Sequence, residues 1–192
     1  MLRNSLLASA IILASSTAIA APVSYSIDAG HTDVLFAWNH FGYSNPTGHL
    51  GQASGTIVFD DAMPEASSVE VKFPLAGMNT HVSKLDEHLR SDEFFDAAKF
   101  PEITFKSSKV EKAAGVNGFT VTGDLTIHGV TKPVVLAATL NKADMHPMKK
   151  VPAIGFDATT TIKRSDFGVG AYVPKVSDEI KVHITVEAMG SK

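Results

Sequence analysis

Hydrophobic and polar residues alternate along most of this chain. In the clearest segment, Phe119, Val121, Leu125 and Ile127 alternate with polar residues, and the segment ends at Gly129. A period of two is typical of β-strands that bury one face. The same parity predicts eight strands, at residues 34–40, 57–59, 69–75, 103–105, 119–128, 134–140, 156–162 and 180–186. Turns rich in Gly, Pro, Asn and Asp separate these strands and indicate an antiparallel sheet.

Eight antiparallel strands are enough to close a β-barrel that holds one small ligand. A two-layer sandwich of the same strands is the alternative, and the pattern does not separate the two architectures. Either fold is mainly β.

The alternation of the strands stops between Ser83 and Phe95, where Leu85 and Leu89 stand at i and i+4, as on one face of a helix. We expect a short helical cap at one end of the barrel, with Phe94 or Phe95 turned toward the interior.

The first 20 residues have the features of a secretory signal peptide. Arg3 precedes an apolar run at 6–14, and Ala18 and Ala20 form the small-residue pattern of a cleavage site. The run of nine residues is shorter than the ~20 that a membrane-spanning helix needs. A retained membrane anchor is the alternative. We therefore expect cleavage of residues 1–20, a single domain at 21–192, and a location in the periplasm.

Composition excludes several classes of function. The chain has no cysteine, which rules out disulfides, a catalytic thiol and a lipidated cysteine anchor. Loss of Arg3 with the leader leaves 16 basic and 20 acidic side chains, a net charge of −4. The longest basic run is the pair Lys149 and Lys150. This balance excludes nucleic acid as a partner.

The aromatic residues are the main functional signal. Seven of them share the apolar strand face that is predicted to point inward, and two readings of this face stay open. The side chains fill a solid core, or they line a cavity for an apolar ligand. In the second reading the candidate lining residues are Phe36, Trp38, Phe59, Val71, Phe73, Phe94, Phe105, Phe119, Leu125 and Phe156.

Eight histidines raise the question of a metal site. None of them forms a pair with the spacing typical of zinc ligands, so the sequence predicts no metal site. His40 continues the parity of Phe36 and Trp38 at the end of its strand. It is either a polar contact at the mouth of a cavity or a buried imidazole with its own hydrogen-bond partners.

Four motifs stand out along the chain: Gly-Asp-Leu-Thr-Ile-His-Gly-Val-Thr-Lys-Pro at 123–133, His-Leu-Arg-Ser at 88–91, Phe-Phe at 94–95 and Arg-Ser-Asp-Phe-Gly at 164–168. Together they resemble the YceI-like family of exported proteins. The resemblance implies a lipocalin-like barrel that holds a long isoprenoid or another amphiphilic lipid non-covalently, with no cofactor and no established catalytic activity.

The resemblance also bears on the polar rim of such a cavity. It makes Asn79 and Arg90 candidates for the rim beside His40, although a structural role for Arg90 stays open. Relatives usually have Arg where this chain has Leu85, and often Asn where it has His81. If those missing residues steer a polar headgroup, this chain selects a different head.

The leading hypothesis is a periplasmic carrier, not an enzyme, that sequesters a polyprenyl or quinone-type lipid inside the barrel. A second hypothesis is an enzyme that acts on a bound amphiphile through His88, Asp86 and Arg90. A third is an interaction module for a membrane cytochrome or another quinone-using protein. Pairing of two barrels through exposed strand edges also stays open.

Overall fold

The computed structural model describes residues 21–191, so the predicted signal peptide lies outside the described residues. The described chain contains one α-helix, α1 (Ser83–Arg90), and three short 3-10 helices, at Pro64–Ala66, Leu75–Gly77 and Arg164–Phe167. It contains eleven strands: β1 Val23–Ile27, β2 Asp33–Ala37, β3 Thr47–Leu50, β4 Ser54–Phe59, β5 Ser68–Pro74, β6 Met78–Asn79, β7 Glu102–Lys112, β8 Gly118–Ile127, β9 Val130–Met145, β10 Pro152–Lys163 and β11 Glu179–Gly190.

Eight of these strands close an antiparallel barrel. The order around the ring is β1-β4-β5-β7-β8-β9-β10-β11, and β11 pairs again with β1. Closure removes the unpaired edges that an open sheet would leave. The predicted fold class, a mainly β eight-stranded antiparallel barrel with a short helical cap, is confirmed.

Near one end of the barrel, three of its walls each consist of two successive strands. Strand β11 pairs with β1 through 188–190 and with β2 through 181–185, on the same edge. Strands β2, β3 and β6 pair with one another in turn and extend the walls that begin as β1, β4 and β5. Strand β6 has only two residues and pairs only with β3 within the described chain. The segment 80–101, which contains α1, follows this short strand.

The β8–β9 hairpin has a tight turn at the end of the predicted strand 119–128, and β9 begins four residues before the predicted strand 134–140. Ile127 pairs with Val130, and the two intervening residues, His128 and Gly129, have φ angles of 51° and 73°. Two positive φ angles are typical of the type I′ turn, whose twist matches that of the flanking strands. The turn therefore fixes the register of β8 against β9, in which Phe119 pairs with Ala138 and Leu125 pairs with Lys132.

Three strands of the structure, β1, β3 and β6, were not predicted. The segment between the predicted strands at 134–140 and 156–162 also contains more strand than expected. Strand β9 extends to Met145 and pairs there with Pro152, so only 146–151 lie outside strands. Exposed polar residues still form strand here, because main-chain hydrogen bonds to the neighbouring strand do not depend on side-chain polarity.

The predicted short helix begins at Ser83 and ends at Arg90. The amide of Ser91 donates to the carbonyl of His88 over 3.1 Å, and a series of turns leads from there to β7. Asp86 does not cap the helix. Its carboxylate instead accepts two hydrogen bonds from the amide and hydroxyl of Thr80, both 2.7 Å long. These bonds fasten the helix to the strand end that precedes it.

Candidate ligand-binding cavity

The barrel interior holds a cavity of about 720 Å³. Its lining consists almost wholly of apolar side chains from the barrel strands and α1. This volume lies within the roughly 300–1,000 Å³ of typical small-molecule sites. The inward face of the strands therefore surrounds a space and does not close into a solid core.

All ten apolar residues predicted for the lining face this cavity. They are Phe36, Trp38, Phe59, Val71, Phe73, Phe94, Phe105, Phe119, Leu125 and Phe156. Their role in binding a ligand stays a prediction. Further lining residues come from β9, β10 and β11, among them Leu136, Ile162 and Val182. Their parity in the sequence was a sufficient signal, but apart from Val71 and Leu125 the candidates were chosen among the aromatic residues.

Three phenylalanines close one end of the cavity. The rings of Phe59, Phe119 and Phe156 meet edge to face, with centroid distances of 5.7, 5.3 and 6.1 Å. This geometry is favoured by the quadrupoles of aromatic rings. Phe119 is buried and joins a core cluster with Tyr25 and other residues below the cavity. The three rings are here called the floor of the cavity.

The opposite end is a mouth that reaches solvent. Phe41, Val82 and Tyr172 line the cavity and yet are 47%, 54% and 55% exposed. Phe41 and Tyr172 have φ angles of 54° and 65°, in a region that bulky residues rarely adopt. The local backbone strain places both aromatic rings at the opening. His40 lines the cavity beside Phe41, is exposed, and contacts the Phe41 ring at 4.5 Å.

Two segments meet across the mouth through a hydrogen-bonded triad of His88, Glu93 and Tyr172. The Glu93 carboxylate lies 2.7 Å from His88 Nε2 and accepts a 2.7 Å hydrogen bond from the Tyr172 hydroxyl. The bond from His88, followed by that from Tyr172, lowers the pKa of Glu93. The hydrogen bond to Glu93 and its negative charge raise the pKa of Tyr172. The Tyr172 ring also stacks on Phe94 at 6.1 Å.

Two of the three predicted rim residues are placed elsewhere. Asn79 does not line the cavity, and its side-chain oxygen accepts a 2.8 Å hydrogen bond from the amide of His81. Arg90 does not line it either. Its guanidinium donates to the carbonyls of Leu75 and Met78 over 3.1 and 2.7 Å. The assignment of both residues to the rim is therefore corrected: Asn79 shapes a turn, and Arg90 anchors α1.

Sequence reasoning missed a lining residue, Arg164. Its guanidinium donates to the carbonyls of Ser177, Val169 and Val176 over 2.9, 2.6 and 3.0 Å. Burial lowers the pKa of Arg164, while the nearby Asp178 charge acts in the opposite direction. The side chain holds the loop 165–178 in place at the mouth.

The residues of the alternative catalytic hypothesis have separate partners. Asp86 binds Thr80, His88 binds Glu93, and Arg90 binds main-chain carbonyls.

Within residues 21–191, no three His, Asp or Glu side chains are grouped so as to hold a metal ion. In the same part of the chain, no helix is long and apolar enough to cross a membrane.

Known proteins resemble this chain in sequence and in fold. The family model for the YceI-like domain matches residues 25–188. A UPF0312 protein of Pseudomonas syringae pv. tomato is 38% identical over 195 residues, which cover 100% of both chains. The YCEI protein of Campylobacter jejuni is 34% identical and superposes with a TM-score of 0.71 over 80% of this chain and 90% of that one.

A more distant structure shares the fold alone. A polyisoprenoid binding domain from Saccharophagus degradans is 16% identical and superposes with a TM-score of 0.65. The match covers 88% of this chain and 99% of that domain.

Proposed function

Since this chain belongs to the YceI-like family, we propose that it is a periplasmic carrier that holds a long-chain isoprenoid or a similar amphiphilic lipid in its barrel. The cavity carries the proposal: it is apolar, three phenylalanine rings pack against one another in its lining, and exposed side chains line it at the mouth. A chain lipid needs this shape, because its tail enters first and its polar head stays near water.

Burial of the tail supplies the affinity. Transfer of a methylene from water to an apolar site contributes about 0.8 kcal/mol. Ten buried methylenes therefore contribute roughly 8 kcal/mol, near micromolar affinity before ordering costs are subtracted. No charged or catalytic group is required for this affinity, which agrees with a carrier.

Two further observations support the proposal. The domain from Saccharophagus degradans, which has the same fold, is described as polyisoprenoid binding. The leader at 1–20 has the features of a signal peptide. A lipid with a long apolar tail crosses an aqueous compartment slowly without a protein that shields the tail. A periplasmic barrel would serve that role.

Native mass spectrometry of the protein exported by its own leader tests the proposal directly. We expect a stoichiometric adduct that organic extraction releases as an isoprenoid or another chain amphiphile. A Trp38→Glu variant, with a charge in the lining, is expected to lose the adduct. The control Thr159→Glu places the same charge at an exposed position that does not line the cavity, and it is expected to keep the adduct. Protein that is empty and also refuses added lipids would overturn the proposal.

A further inference from the structure

The triad at the mouth is a polar site in contact with an otherwise apolar cavity. His88 and Tyr172 both line the cavity, and Glu93 lies between them without lining it. The head of a lipid whose tail fills the cavity meets His88 and Tyr172 at the mouth. The hydrogen-bonding state of these two side chains therefore decides which head is accepted.

The Glu93 carboxylate accepts a hydrogen bond from each of the two side chains, His88 and Tyr172. The Tyr172 hydroxyl has one proton, and it points to Glu93 Oε1. His88 faces Glu93 Oε2 through Nε2, and a carboxylate accepts only, so Nε2 bears a proton. A neutral imidazole with its proton on Nε2 has an acceptor at Nδ1. In the neutral form of the His88 ring, both mouth residues thus have lone pairs, and no further hydrogen, to offer a ligand.

The charges at the mouth also disfavour an anionic head. The low pKa of Glu93 keeps its carboxylate ionised, so an anionic head would meet a like charge. The permanent cation of the lining, Arg164, donates to three main-chain carbonyls. Its charge is directed to the loop that it holds, and not to a ligand.

We propose that the cavity selects an amphiphile whose head is uncharged and donates a hydrogen bond, such as an alcohol. His88 and Tyr172 accept this bond, and Glu93 is the positioning residue that orients both. Heads that only accept, such as ethers and oxidised quinones, bind less tightly, and phosphorylated heads are rejected. This inference rests on the proposed function, since it requires a chain lipid in the cavity.

Three probes that share the same tail test the preference for a head group: geranylgeraniol, its methyl ether and its diphosphate. Trp38 is the single tryptophan of the chain and lines the cavity, so its fluorescence reports binding. We expect the alcohol to bind about tenfold more tightly than the ether, the effect of one hydrogen bond. The diphosphate should bind less tightly than both.

Variants connect the preference to the triad. Tyr172→Phe keeps the ring that stacks on Phe94 and removes only the hydroxyl, so the alcohol-to-ether ratio should fall severalfold. Glu93→Gln removes the charge and one of two acceptor contacts, so the ratio should fall and the diphosphate penalty should shrink. The control Asp92→Asn removes the neighbouring exposed charge and should preserve the alcohol-to-ether ratio.

The outcomes separate this inference from the proposed function. Equal affinity for all three probes would overturn the headgroup inference and leave the lipid carrier intact. Tightest binding of the diphosphate would also overturn it and would assign the head to Arg164. A ratio that is unchanged in Tyr172→Phe and Glu93→Gln would exclude the triad. Failure of every probe to bind would instead count against the proposed function itself.

Discussion

The ring of Phe36 lies directly over Gly48 on the neighbouring strand. The two residues pair across β2 and β3, and a Cβ atom at position 48 would stand 2.4 Å from the ring. The absence of a side chain at Gly48 therefore lets the ring lie flat along the wall. In this position the ring stacks on Trp38 at 5.8 Å and leaves the cavity open.

We expect Gly48→Ala to push the Phe36 ring away from the wall and into the cavity. Overpacking of this kind costs about 1–3 kcal/mol of the free energy of unfolding, and urea denaturation measures it. The matched control is Gly51→Ala, because the atom closest to a Cβ there, Asp33 Oδ1, is 4.0 Å away. Equal midpoints for the two variants would show that the Phe36 ring yields without cost.

The same pair explains why β3 was not predicted. Pro46 and Gly48 are typical turn residues, and their neighbourhood was interpreted as a turn. Gly48 is required instead by the close packing of an aromatic ring, which depends on the register of β2 against β3. The lining was predictable because strands send alternate residues to opposite faces, so the parity of Phe105 and Phe119 is sufficient to orient them.

Partners of polar side chains could not be predicted in this way. Arg90 and Arg164 both donate to main-chain carbonyls, and a carbonyl group has no signature in the sequence. The hydroxyl of Tyr172 reaches Glu93 across 79 positions of the chain. Such contacts depend on how the loops pack at the mouth, and they decide which residues meet a ligand head.

The aromatic floor should limit the length of the bound tail. We expect Phe156→Ala to deepen the cavity, because it removes one of the three rings and leaves the Phe59 and Phe119 pair. The loss of a large side chain costs about 3 kcal/mol of unfolding free energy. The preferred tail in a ladder of straight-chain alcohols should become longer by a few carbons.

Urea denaturation and affinity across the ladder measure both effects of Phe156→Ala. Tyr43→Ala is the control, since Tyr43 is 92% exposed and its loss should change stability by less than about 0.5 kcal/mol. An unchanged length preference in Phe156→Ala would show that neighbouring side chains fill the space left by the ring.

Arg164 should hold the mouth loop in place. We expect Arg164→Met to destabilise the protein by about 2 kcal/mol, because three carbonyls lose a charged donor. The loop 165–178 should open more often than the rest of the barrel. Hydrogen exchange at the amides of Val169 and Val176 measures this opening, and the control is Lys175→Met in the same loop. Equal exchange in the two variants would contradict the anchoring role.

Asp28 should make stability depend on pH through its contact with Lys149. The Lys149 ammonium donates a 3.0 Å hydrogen bond to the carboxylate, and the amide of Gly30 donates another of 3.0 Å. These bonds, with His31, lower the pKa of Asp28 to about 2, against an ordinary value of 3.8. The contact ties the β1–β2 turn to the 146–151 segment.

A lowered pKa in the folded state stabilises the protein above the unfolded pKa, and this contribution is lost as the pH falls through the folded value. We expect Asp28→Asn to lose about 1–2 kcal/mol of unfolding free energy at neutral pH, after allowance for solvent screening. The difference from the parent should shrink between about pH 4 and pH 2. Urea denaturation across this range measures it. Asp92→Asn is the control, and a pH-independent difference for Asp28→Asn would assign the loss to packing and not to charge.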